Sequence, residues 1–107
     1  MKFIIVETTF PNSSAGKKSA KKLAEILLQE KLAACIHFVP LESLYVWQKK
    51  LENSSELLLR IKSKKSNYKK ISAAIAKNHP YEVPQIFSIT LDDCAKNYAT
   101  WLEENLK

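Results

Sequence analysis

The chain has 107 residues, near the usual size of one domain, and at that length a strand-rich fold gains from covering its sheet edges with other subunits. Its 17 basic and 11 acidic residues give a net charge of +6, but only Arg60 is an arginine and the lysines fall in scattered pairs, which reads as a solvated surface, so no specific nucleic acid is expected and a nucleic-acid binder is the weakest of three readings. No apolar run reaches the ~18 residues of a membrane span, Met1 to Thr9 is too short for a signal peptide, and Cys35 and Cys94 form no Cys-x-x-Cys pair, so the expectation is a cytoplasmic protein with free thiols and no membrane partner.

Phe3-Ile4-Ile5-Val6, closing at Thr8-Thr9-Phe10-Pro11, is a continuous apolar and β-branched run that predicts a central strand buried on both faces. Asn12-Ser13-Ser14 offers helix caps. Ala20, Leu23, Ala24, Leu27 and Leu28 then recur at helical spacing and predict a helix from about Ala15 to Lys31. Gly16 is the sole glycine, which excludes Gly-rich phosphate loops and the dinucleotide fingerprint. Ile36 to Val39 and Ser43 to Trp47 read as a strand broken at Pro40, whose missing N–H predicts a bulge or an edge position. Lys49-Lys50 turns the chain, and Ser55 to Lys62 returns with Leu57, Leu59 and Ile61 on one face and Leu58, Arg60 and Lys62 on the other. These segments form a long antiparallel hairpin.

Ser66 is expected to cap a second helix, with Tyr68, Ile71, Ala74 and Ile75 inward and Asn78 at its C-terminal end. Pro80 and Pro84 then hold His79-Pro80-Tyr81-Glu82-Val83-Pro84 as a stiff, extended loop. Ile86, Phe87, Ile89 and Leu91 predict a fourth strand, and Asn97 is expected to cap a last helix with Tyr98, Trp101, Leu102 and Leu106 on its apolar side. The order β-α-β-β-α-β plus a helix predicts an α+β, ferredoxin-like fold in a single domain over residues 1–107, with both main helices on one face of an antiparallel sheet.

Four stretches carry a family likeness: Leu27 to Cys35, ending Leu-Ala-Ala-Cys; Ser43 to Leu51, with Ser-x-Tyr-x-Trp; Asn78 to Pro84, reading Asn-His-Pro-Tyr-Glu-Val-Pro; and Tyr98 to Leu102. Together they resemble the CutA family of divalent-cation tolerance proteins over nearly the whole chain. The resemblance implies a homotrimer shaped like the PII signalling proteins, joined through long hairpins and strand edges. It further implies a protein that is not an enzyme, that requires no cofactor, and that serves tolerance to divalent metals, copper foremost. Glu7 stands in the first-strand region where some bacterial members carry a cysteine.

For a metal, His79 is the first candidate, an imidazole in a rigid loop that could also sense pH; its plainer reading is a histidine that caps a helix end and packs on a proline. Cys35 is the second, with a small buried hydrophobe as its plainer reading, and His37 sits mid-strand. Trp47, Glu56, Lys62, Tyr81 and Glu82 are expected to line a cleft between subunits for a charged, small anionic ligand, by analogy with the nucleotide clefts of PII-like trimers; ion pairs and hairpin packing explain the same residues. No Ser-His-Asp or Cys-His order stands out. A trimeric metal-response or signalling module is therefore the leading reading, and a small-molecule sensor or enzyme using the His79 to Glu82 loop is the alternative.

Overall fold

In the computed structural model, which describes residues 2–107, β1 (Phe3–Pro11) lies between β3 (Lys50–Lys64) and β4 (Phe87–Thr90). β2 (Cys35–Trp47) is the edge beyond β3, so the order is β2-β3-β1-β4 with every neighbour antiparallel. Three helices complete the chain: α1 (Ser14–Gln29), α2 (Tyr68–Lys77) and α3 (Lys96–Glu104). This is the ferredoxin-like order expected from the sequence.

β1 extends beyond its apolar run because Thr8 and Thr9 are also buried and the strand pairs with β3 along its whole length, from Phe3 opposite Lys64 to Pro11 opposite Glu56. Strand alternation sends Ile4, Val6 and Phe10 to one face, beside Leu57, Leu59 and Ile61 of β3. There they meet Ala20, Leu23 and Leu27 of α1 and Ile71 and Ile75 of α2 in the main core. Each large aliphatic side chain withdrawn from water in this way stabilises the fold by about 1.5–3 kcal/mol. A second, smaller cluster joins Phe3 to Leu102 and Leu106, so α3 and the residues after it close over one end of the sheet.

Helix boundaries are set by local hydrogen bonds. The Gly16 N–H donates to Ser13 Oγ at 3.0 Å, fixing Ser13 as the α1 N-cap. α1 ends at Gln29, short of the expected Lys31, because Lys31 has turned into the left-handed region at φ 57°. Ser66 does not cap α2: it lies in a 3-10 turn over Lys65–Asn67, and buried Asn67 uses its Nδ2 on Ser63 Oγ and the Lys107 carbonyl. Asn78 does end α2, and its Nδ2 donates to the Ala74 carbonyl at 2.8 Å. Asn97 lies inside α3, whose N-cap position is Ala95.

β2 runs through Pro40 without a break or a bulge, since Val39, Pro40 and Leu41 pair in unbroken register with Leu58, Leu57 and Glu56. The edge position alone accommodates the missing N–H. The hairpin is longer than the sequence suggested and turns at Gln48-Lys49, with φ of 51° and 67° and Trp47 opposite Lys50. Two successive positive φ values make a two-residue loop whose twist matches that of the strands. The paired arms give the molecule its 45 Å long axis.

Gly16 has a steric role that its solitary occurrence did not reveal. A Cβ added there would stand 1.9 Å from the Pro11 carbonyl oxygen, where α1 starts directly over the end of β1. Gly16→Ala is therefore expected to destabilise the protein by about 2–3 kcal/mol, through displacement of backbone against backbone. Urea unfolding of the two proteins checks this, and an unchanged midpoint would show that the two segments part freely.

A candidate ligand cleft between the hairpin and the loop after α2

β3 sets Glu56 opposite Pro11 at the end of β1 and opposite Leu41 on β2. Strand alternation then puts Tyr45 and Trp47 on the same face as Glu56, further out along the hairpin. The loop after α2 brings Tyr81 and Glu82 to this face, while His79, stacked on Phe10, stays outside the lining. Between them lies a cavity of about 690 Å³, lined among others by Tyr45, Trp47, Glu56, Tyr81 and Glu82. A volume of this size suits a small organic ligand.

Glu56 is the polar centre of the cleft. It is 6% exposed, and Tyr81 Oη donates to its Oε2 at 2.7 Å. Burial, then the hydrogen bond to Glu56 and the carboxylate's charge, push the Tyr81 pKa above its ordinary value of 10, so the phenol is held as a donor. No cation accompanies the pair: the ion pair recorded among the described residues is Arg60 Nε with Glu7 Oε2 at 3.0 Å, and that N–H is not aligned for a hydrogen bond. On the outer wall Tyr45 Oη and Ser54 Oγ share a hydrogen bond of 3.0 Å.

His79 fixes the loop to the sheet. The Thr9 carbonyl lies 2.7 Å from Nε2 and can only accept, so Nε2–H donates; Nδ1 then accepts from the Tyr81 N–H at 3.1 Å. The ring stacks on Phe10 with centroids 4.3 Å apart and packs against Tyr81 at 4.9 Å. Burial lowers its pKa below 6.5, although the Thr9 bond and the Glu56 charge act the other way. One neutral tautomer thus uses both nitrogens, and a metal at either would have to displace a hydrogen bond. The helix-capping role falls to Asn78 instead.

The other candidates lie elsewhere. Cys35 is half-buried opposite Lys62, six residues along β3 from Glu56 and so about 20 Å away. His37 is exposed opposite Arg60. Lys62 does not reach the cleft: its Nζ donates to Tyr98 Oη at 2.9 Å and sits 5.1 Å from that ring's centroid, at the α3 end of the sheet. Among the described residues of the single chain no three His, Cys, Asp or Glu side chains converge on one point. The structure thus gathers Trp47, Glu56, Tyr81 and Glu82 and leaves out Lys62. Tyr45 is one of several lining residues missed, together with Thr9, Pro11, Ser54 and Val83, although its spacing of two from Trp47 on one strand puts both on one face.

Comparison with known proteins places the fold in a family. The profile of the CutA1 divalent ion tolerance protein family matches residues 4–105. The chain belongs to this family. It is 36% identical to the divalent-cation tolerance protein CutA of Pyrococcus horikoshii, over 97% of this chain and 98% of that one. Protein CutA, chloroplastic, of Arabidopsis thaliana is 38% identical over 97% of this chain, which spans 56% of that plant relative's length. The crystal structure of CutA1 from Oryza sativa superposes with a TM-score of 0.90 at 32% identity, covering 100% of this chain and 95% of that one. Family and fold therefore stand as the sequence motifs indicated. No helix among the described residues is long and apolar enough to cross a membrane.

The engagement of His79 has a pH signature. Because its folded pKa lies below 6.5, the unfolded chain binds more protons beneath that value. The contribution to stability is fully present above the unfolded pKa and is lost as pH falls through 6.5 toward the folded one. Urea unfolding at pH 7, 6 and 5 should show stability declining with acidity, with a shallower decline in His79→Gln. Equal slopes for the two proteins would mean that the ring titrates freely in the folded state.

Proposed function

We propose that this chain serves tolerance to divalent cations, copper foremost, as a homotrimeric, non-enzymatic module of the PII signalling type that acts through the cleft at Glu56. The observation that carries this reading is the cleft itself, where two separate segments converge on a nine-tenths buried carboxylate beside exposed aromatic rings. The relatives' names, divalent-cation tolerance protein and CutA, support the physiological side. Divalent metal is then the stimulus for the response, and no cofactor is required. The lining favours a cation over a small anion, since Glu56 and Glu82 face the space and no lysine or arginine does.

Assembly is supported by what a lone chain leaves uncovered. Leu44, Val46 and Leu51 on the hairpin arms are 69%, 69% and 72% exposed, and Val39, Phe87 and Ile89 are exposed on the sheet face away from α1 and α2. With β2 as an open edge, these surfaces call for other copies of the chain. The absence of catalysis is supported by a histidine with no free nitrogen and a tyrosine held protonated. Two free thiols favour the cytoplasm.

In a copper-sensitive bacterial strain lacking its own family member, the wild-type chain should restore growth in copper and Glu56→Gln should restore it poorly. Failure of the wild type would remove the tolerance reading; full restoration by Glu56→Gln would remove the cleft from it. Light scattering of the purified protein should give three times the mass of one chain, and a single-chain mass at micromolar concentration would overturn the trimer.

A further inference from the structure

We infer that the cleft binds an organic ammonium ion, its cationic head against Glu56 and its apolar body against Trp47 and Tyr45. This rests on the reading of the cleft as the functional site and adds the class of ligand. Glu56 is 6% exposed, receives one hydrogen bond, from Tyr81 Oη at 2.7 Å, and has no cationic side chain paired with it among the described residues. A buried carboxylate in that state lacks the counter-charge that such groups need. Among the described residues of the single chain no lysine or arginine lines the cavity beside it, which leaves the place of the counter-charge to a bound cation.

The rest of the lining selects the kind of cation. Tyr45, Trp47 and Tyr81 present aromatic rings to the same space, and Tyr45 and Trp47 remain 42% and 41% exposed in the single chain. Aromatic faces attract alkylated ammonium groups and give nothing to a hydrated metal ion, which seeks oxygen, nitrogen or sulfur donors. The described residues offer no such converging set, and neither nitrogen of His79 is free. An anion would face Glu56 and Glu82 together. About 690 Å³ is far more than an ammonium head needs, and Pro11 and Val83 extend the apolar wall, so the ligand carries an apolar body as well. His79 holds Tyr81 in place from below, which pre-forms the site before any ligand arrives.

The test uses the intact assembly with Trp101→Phe, which leaves Trp47 as the sole tryptophan. Choline, its uncharged isostere 3,3-dimethylbutan-1-ol, and Cu(II) alone are titrated while Trp47 fluorescence is followed, with calorimetry as a second readout. Choline should produce a saturable change, the isostere should bind at least about tenfold more weakly, and Glu56→Gln should lose at least about tenfold in choline affinity. Should Glu56→Gln fail to fold, the choline and isostere pair on the Glu56 protein still measures the need for charge. Equal affinity for the two probes, no saturable choline signal, or a Glu56-dependent Cu(II) signal without a choline signal would overturn the proposal. If choline fails while Glu56→Gln still loses copper tolerance, only the ammonium assignment falls; if Glu56→Gln confers full tolerance, the cleft reading itself falls.

Discussion

β1 is hydrogen-bonded on both sides, to β3 over all nine of its residues and to β4 over four, and the rest of the molecule is placed by that strand. Its Ile4, Val6 and Phe10 side chains make the floor on which α1 and α2 pack. Its last three residues do a second job. The Pro11 carbonyl sets how closely α1 can begin, the Thr9 carbonyl anchors His79, and Thr9 and Pro11 help to line the cleft. Core and candidate site are thus built on one rigid element, the arrangement under which a loop can be held in a single geometry.

The cleft shows how a titratable residue can serve position alone. His79 spends its donor on the sheet and its acceptor on the loop, and this orients Tyr81 toward Glu56. The place of His79 is explained by architecture: an imidazole offers one donor and one acceptor across a flat ring that also stacks on Phe10. What remains chemically open in the cleft is the carboxylate and the aromatic surface, and on these the proposed ligand class rests.

Much of the fold was legible in the residues themselves. Helical spacing in Ala20 to Leu28, the buried run Phe3 to Val6 and the alternation through Leu57 to Ile61 each encode which face is apolar, because periods of 3.6 and 2 are properties of the backbone. Element ends were less legible. Lys31 leaves the helix in a left-handed turn closed locally by the Leu32 N–H on the Leu27 carbonyl, whereas Asn67 displaces Ser66 at the start of α2 with a bond to the distant Lys107 carbonyl. Pro40 likewise suggested a break, but an edge strand has one side without partners, where a missing N–H costs little.

The sequence by itself determined the family, the element order and the face on which each strand residue lies. It also marked Trp47, Glu56, Tyr81 and Glu82 as candidates, which the fold brings around one cavity. Only the tertiary structure decided distances. Lys62 shares a face with Glu56, yet six residues of strand separate them by about 20 Å, and Lys62 is held by Tyr98 instead. Only the fold, too, showed that both nitrogens of His79 are engaged and that Glu56 is buried with no cation paired to it among the described residues, since hydrogen bonding and desolvation depend on neighbours distant in sequence. Residue type and periodicity fix what a side chain can do and which way it points, while its neighbours fix whether that capacity is already used.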